Sequence, residues 1–214
     1  MRLTHFGHSC LLVETGSARI LIDPGSFSSG FEELTDLDAV LITHAHPDHI
    51  DPERLGTLLE ANDSAVVHAE PETAGSLAGS GLDVSALHAG QSVEVAGVTV
   101  SGQGGRHATI HADLPVIGNV GMLLSAAGEP TLFHPGDAYS ATPEGVDVLA
   151  VPLNAPWAAI KETIDFVRAV GPGLAVPVHD ALLTPPAREM YKGHVGRLGG
   201  AEIRDVAGAG PVDL

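Results

Sequence analysis

With 214 residues, 44% of them hydrophobic, the chain can build one sizeable core and is read as a single domain over residues 1–214. Ten Lys and Arg against 27 Asp and Glu give a net charge of −17, which repels phosphate backbones and anionic headgroups, so nucleic acid and membrane surfaces are not expected partners. A lone cysteine, Cys10, allows no intramolecular disulfide. With no leader-like N-terminus and no run of ~18–20 apolar residues, that points to the cytoplasm.

The chain opens on strand-like segments, "RLTHF", "CLLVET" and "ARILID", the last two joined as a hairpin around Gly16–Ser17. Cys10 falls in the second of these and reads as a small core residue. "DAVLIT" is a continuous apolar run, as a strand buried on both faces requires. After a histidine-rich stretch comes a helix signal: Asp51 as N-cap, Pro52 at the first helical position, then "ERLGTLLEA". "SAVVHA" reads as a strand and "EPETAGSLAGS" as a short helix.

The second half repeats this order. "QSVEVAGVTVSG" is a hairpin turning at Ala96–Gly97, and "NVGMLLSA" pairs with "TLFH" across Gly128–Glu129–Pro130. "VDVLAVPL" is a buried strand, and "AAIKETIDFVRAV" a helix with Ile160, Ile164 and Val167 on one stripe. "LAVPVH" is a strand, "PAREMYKGHVGRL" a last helix and "AEIRDV" a closing strand. Two successive halves of hairpin then βαβ unit imply two packed sheets with helices outside.

The chemistry lies in "LITHAHPDHI", where four potential ligands fall within six residues between a buried strand and a helix cap. Imidazole nitrogen and carboxylate oxygen suit zinc and similar divalent ions. In an extended loop His44 and His46 point the same way and can grip one ion, while Asp48 and His49, past Pro47, can turn to a second position. The C-terminal end of a strand is where open α/β architectures place ligand sites.

"HAHPDH" (His44, His46, Asp48, His49) resembles the H-x-H-x-D-H signature of the metallo-β-lactamase superfamily, and the resemblance extends along nearly the whole chain. It implies a four-layer αββα sandwich of the α/β class. It also implies roles for later residues: Asp23 in "LIDP" as the aspartate ending an early strand, Asp137 in "FHPGDAY" as an aspartate between two metals, and His179 in "VPVHD" as the last ligand. In "GGRHATIH" two histidines compete for the third position of the first metal. His107, directly after Gly104–Gly105–Arg106, is expected there, and His111, toward Asp113 and Pro115, is expected at the substrate or solvent side. His134 is expected to be structural or to support the ligands. His68, His88 and His194 are assigned no role.

Seven ligands exceed what one tetrahedral ion accepts, so a dinuclear centre is expected. His44, His46 and His107 would hold one ion and Asp48, His49 and His179 the other, with Asp137 between them. Two divalent ions ~3.5–4 Å apart lower the pKa of a shared water so that it attacks as hydroxide, with Asp48 placed to orient it and relay a proton. Zinc is the expected metal, with manganese and iron as alternatives. The diiron flavoprotein relatives resemble this loop but carry a carboxylate where this chain has His46, so hydrolysis is favoured over redox chemistry.

The expected substrate is a small molecule. RNA-cutting branches of the superfamily carry a large inserted domain or a basic arm, for which 214 residues with ten basic side chains leave no room. Glyoxalase-like thioesterases add a helical C-terminal domain, and this sequence stops shortly after "AEIRDV". The opening "LTHFGHSCLLVETGSARILIDP" resembles the small-hydrolase branch that includes ascorbate-6-phosphate lactonase, which puts His8 of "GHS" near the pocket. Asn154 and Trp157 of "PLNAPWAA" are candidate pocket-wall residues. The expected activity is hydrolysis of a small ester, lactone or phosphoester. The alternatives are a nucleotide or phospholipid phosphodiesterase, or a non-catalytic metal-binding sensor on the same fold. Nothing in the sequence opposes a homo-oligomer.

Overall fold

The structure is a computed structural model that describes residues 1–214. Its first half runs β1 (Arg2–His5), β2 (Leu11–Thr15), β3 (Ala18–Ile22), a 3-10 turn (Phe31–Glu33), β4 (Ala39–Ile42), α1 (Pro52–Glu60), β5 (Val66–Ala69), α2 (Pro71–Ala78) and β6 (Ser85–Ala86). The second half runs β7 (Ser92–Val95), β8 (Val98–Gly104), β9 (Val120–Ser125), β10 (Leu132–His134), β11 (Val148–Pro152), α3 (Ile160–Val170), β12 (Leu174–Val178), α4 (Pro185–Gly199), β13 (Glu202–Ile203) and β14 (Val212–Asp213).

Two seven-stranded sheets result, ordered β14-β1-β2-β3-β4-β5-β6 and β13-β12-β11-β10-β9-β8-β7. Each is antiparallel at its hairpin end and parallel through its βαβ end. The helices cover the outer faces, giving the four layers αββα.

The strand sequences state which face is which. In β4, Ala39 and Leu41 join the core between the sheets, while Val40 and Ile42 pack outward with Leu55 and Leu58 of α1. In β11, Val148 and Ala150 face the inter-sheet core, and Leu149 and Val151 face α3. Both faces are covered, so the apolar runs are unbroken. Emptying one such position, as in Leu41→Ala, costs about 2–5 kcal/mol.

The α1 boundary follows its caps: the Asp51 side chain accepts from the Arg54 amide and Pro52 occupies the first turn. The end of the chain departs from expectation. Of "AEIRDV" only Glu202–Ile203 joins the ladder, because Asp205 turns out to bind Arg188 and Lys192 at 2.5–2.8 Å. The chain then crosses to the other sheet, where Val212–Asp213 pairs antiparallel with β1. No helix is long and apolar enough to cross a membrane.

Candidate metal centre

The loops that leave the C-terminal ends of β1, β3, β4, β8, β10, β11 and β12 converge at one end of the two sheets. Main-chain bonds stitch the sheets together there, from Val120 N to Thr43 O and from His179 N to His8 O, both at 2.9 Å. His134, in β10, adds a side-chain link by donating Nε2–H to Ser9 O at 3.0 Å while its Nδ1 accepts from the Gly136 amide.

Two groups of four ligand-type side chains result. One is His44, His46, His107 and Asp137; the other is His8, Asp48, His49 and His179. Within each group the ligand atoms lie within 4.8 Å of one another. Asp137 also bridges the groups: His49 Nε2 is 3.1 Å from its Oδ1, and His179 Nε2 and His107 Nε2 are 3.2 and 3.4 Å from its Oδ2.

Four of the imidazoles have the outward nitrogen satisfied, which fixes the inward one, while His46 Nδ1 lies 3.2 Å from His44 Nε2 within the first group. His107 Nδ1–H donates to Ala108 O and His179 Nδ1–H to Asn154 O, both at 2.6 Å. His49 Nδ1–H donates to Asp23 Oδ2 at 2.7 Å. His44 Nδ1–H donates to Thr43 Oγ1, whose own hydrogen goes to Asp23 Oδ2 at 2.8 Å. Asp23 Oδ1 takes the Thr43 amide, so one buried carboxylate orients a histidine in each group. What remains is four buried side-chain atoms without a hydrogen-bond partner: Nε2 of His49, His107 and His179, and Oδ1 of Asp137. Buried polar atoms are costly when unpaired, and basic nitrogens with a free lone pair beside carboxylates are what a divalent cation needs. The residues present therefore fit a metal.

Backbone geometry is spent on this arrangement. His8, Asp23 and His179 have φ of 50°, 51° and 55°, a left-handed conformation costing a non-glycine residue of order 1–3 kcal/mol. Gly136 has φ 61° and lies where a Cβ would stand 2.3 Å from Asn119 Oδ1, the atom that accepts the Asp137 amide. At Gly25 a Cβ would sit 2.0 Å from Asp48 O, so the loop carrying Asp48 and His49 rests directly on that glycine.

Burial and charge set the protonation states. Burial pushes His44 well below its usual value, helped by His49, and pushes His46 and His8 down as well. For Asp48, burial opposes ionisation, but the bond from His8 Nε2–H (3.1 Å) and the nearby His49 and His179 bring it to about 2. Asp137 follows the same logic more strongly, burial being outweighed by His49 and by the approach of three imidazoles. Burial also works against charge on His49, yet Asp137 and Asp23 hold its pKa well above the ordinary histidine value. Without metal, Asp137 and Asp23 therefore favour a second proton on His49, at the Nε2 that a metal would otherwise take.

The structure brings together all seven residues expected as ligands, and Asp23 lies immediately behind them. His111 is apart, 65% exposed, with its Nδ1 accepting from the Asp113 amide. Trp157 donates Nε1–H to Asp137 Oδ2 at 2.8 Å, and Asn154 contributes its main-chain carbonyl to His179. Sequence reasoning did not place His8 inside the second group or find Thr43 and Asn119. His8 sits in a turn 40 residues from its partner Asp48, where no spacing rule reaches; Thr43 carried a weak signal as the polar residue closing an apolar strand.

Residues 2–179 match the family described as Beta-lactamase superfamily domain. The chain is 51% identical to Protein Rv0786c of Mycobacterium tuberculosis over 91% of each chain. It is 32% identical to a UPF0173 metal-dependent hydrolase of Xanthobacter autotrophicus, over 64% of this chain and 62% of that protein. Among solved structures it resembles Igni18, a metallo hydrolase of Ignicoccus hospitalis, with TM-score 0.72 and 22% identity over 100% of this chain and 98% of that one.

Proposed function

The chain belongs to the metallo-β-lactamase superfamily, and from that premise we propose that it is a dinuclear metal-dependent hydrolase of small esters, lactones or phosphoesters. The observation that carries the reading is the set of four buried atoms, on His49, His107, His179 and Asp137, left without partners at the meeting point of two ligand groups. The name of the Xanthobacter relative, a metal-dependent hydrolase, supports the same class. His44, His46 and His107 would hold one ion, Asp48, His49 and His179 the other, with Asp137 shared. When bound, such ions lower the pKa of a water and polarise the oxygen of a carbonyl or phosphoryl group; zinc suits imidazole-rich ligands.

The chain's own residues supply orientation and proton handling. His8 donates to Asp48 Oδ2 and holds that carboxylate toward the second group; Asp48, 23% exposed, is the ligand-type carboxylate open to solvent and can accept a proton from an incoming nucleophile. Trp157 donates to Asp137 and screens one oxygen of it from solvent. The resemblance of the N-terminal segment to the lactonase branch keeps lactones among the substrates. A net charge of −17 speaks against nucleic acid.

The reading is tested by assaying purified protein, reconstituted with zinc or manganese, on p-nitrophenyl esters, lactones and bis(p-nitrophenyl) phosphate. Asp48→Ala should lower turnover at least ~100-fold with an unchanged far-UV spectrum. Near-normal turnover by Asp48→Ala, or none by the metal-loaded wild type on any of the three classes, refutes it.

A further inference from the structure

Beside His107 lies a cavity of about 360 Å³, within the ~300–1,000 Å³ range of small-molecule sites. Its walls come from three loops: Arg106, His107, Ala108 and Thr109 after β8, Ala138, Tyr139 and Ser140 after β10, and Trp157 after β11, with Glu162 from α3. The Trp157 indole is held rigidly. Its Nε1–H is bound to Asp137, and its ring meets Tyr139 edge-on at 4.8 Å between centroids. Tyr139 is itself fixed, its hydroxyl bonded to Pro152 O at 2.7 Å and Thr163 Oγ1 at 2.9 Å. With Ala108 and Ala138 alongside, Trp157 gives the cavity an apolar side next to His107.

The rim of the cavity also carries an unclaimed cation, exposed to solvent. Most basic side chains in this acidic protein are paired, including Arg2, Arg19 and Arg54. Arg106 makes no ion pair or side-chain hydrogen bond, although Glu162 lines the same cavity; that carboxylate instead accepts the Ala159 amide at 3.0 Å. A second cavity, of about 450 Å³ beside His8, contains Arg188, but Asp180 and Asp205 already occupy that guanidinium at 2.6–2.8 Å. Of these two, the cavity beside His107 is the one with an unpaired cation and a fixed aromatic side chain next to the proposed reaction centre.

We infer that this cavity is the substrate pocket and that it selects monoanionic acyl compounds, with a carboxylate held by Arg106 and a flat apolar body laid on Trp157. One guanidinium can take one carboxylate as a two-pronged partner. Among the side chains lining the cavity a second negative charge would find no second cation and would face Glu162, so dianionic phosphomonoesters are disfavoured there. The inference rests on the hydrolase reading only in calling the bound molecule a substrate.

Trp157 is the sole tryptophan of the chain, so its fluorescence reports on this pocket without any need for turnover. The metal-loaded protein is titrated with phenylacetate, its neutral isostere phenylacetamide, and phenyl phosphate. Phenylacetate should give a saturable change and bind at least ~10-fold tighter than the other two. Arg106→Gln should abolish that preference and leave the metal content at the wild-type value. Equal affinity for phenylacetate and phenylacetamide, tighter binding of phenyl phosphate, or no saturable change overturns the inference. So does a phenylacetate preference that survives in Arg106→Gln, since the carboxylate would then sit on the metals. Loss of hydrolysis alone would count against the hydrolase reading and leave this binding result standing.

Discussion

Asp23→Asn isolates the support of the centre from the centre itself. The Asp23 carboxylate is fully buried and accepts from three donors: the Thr43 amide, the Thr43 hydroxyl and His49 Nδ1–H, at 2.7–2.8 Å. Asparagine has the same shape but one acceptor oxygen. With its NH₂ toward His49, two donors confront a donor; flipped, the NH₂ confronts the Thr43 amide, which cannot rotate. The cheaper escape is a tautomer change that leaves His49 Nδ1 accepting and puts the proton on Nε2, the nitrogen the metal needs. Losing such an outer partner costs ~10–100-fold in metal affinity, or about 1.4–2.7 kcal/mol. Chelator competition should find that loss in a variant with a wild-type far-UV spectrum, and nitrogen-15 NMR should find His49 protonated at Nε2. Thr43→Val, which removes only the hydroxyl that receives His44 Nδ1–H, should lose less. A folded Asp23→Asn protein binding metal within twofold of wild type would refute the reasoning.

Three further outcomes follow from the same geometry. His107→Ala should lose about one metal per chain by elemental analysis while His111→Ala keeps both, because His107 lies in the first ligand group and His111 is at the surface; the reverse counts would reassign the ligand. In chelator-treated protein, stability should fall as pH drops from 7 to 5. Burial lowers the pKa of His44, His134 and His8, so below ~6.5 the unfolded chain takes protons the fold refuses, at ~1.4 kcal/mol per unit of depression. His49, raised, works oppositely: its contribution is present below ~6.5 and fades as pH climbs through its folded value, but it is one group against these three and against His5, His46 and His68, which burial also lowers. Each kcal/mol moves the melting temperature ~2–4 °C, and a melt that rises on acidification contradicts this. Away from the site, exposed Ala96 has φ 46° in the β7–β8 turn, so Ala96→Asn should stabilise the fold by about 0.5–1 kcal/mol in urea unfolding, and a loss would count against the turn assignment.

Local rules carried the sequence reading where the fold is local. Asp51–Pro52 at the start of α1, the β2–β3 and β7–β8 hairpins and the two-faced burial of β4 all depend on neighbours within a few residues. β6, β13 and β14 are two residues each and are held by pairing to strands already formed, so they carry no periodicity of their own. The site divides the same way. His44, His46, Asp48 and His49 stand in one six-residue run, and Asp23, Asp137 and His179 follow strand ends in an order the superfamily resemblance could supply. The place of His8 depends on a left-handed turn and on the cross-sheet bond to His179, and the freedom of Arg106 depends on which carboxylates fail to reach it. Neither is written in adjacent residues.

The most direct test is the number of metal ions the protein holds. Purified wild type, stripped and reconstituted with zinc, then dialysed, should carry close to two ions per chain by elemental analysis. The ion that takes His49 should enter with release of a proton, since Asp137 and Asp23 favour the protonated form of that imidazole without metal. One ion or none per chain after reconstitution would contradict the dinuclear centre.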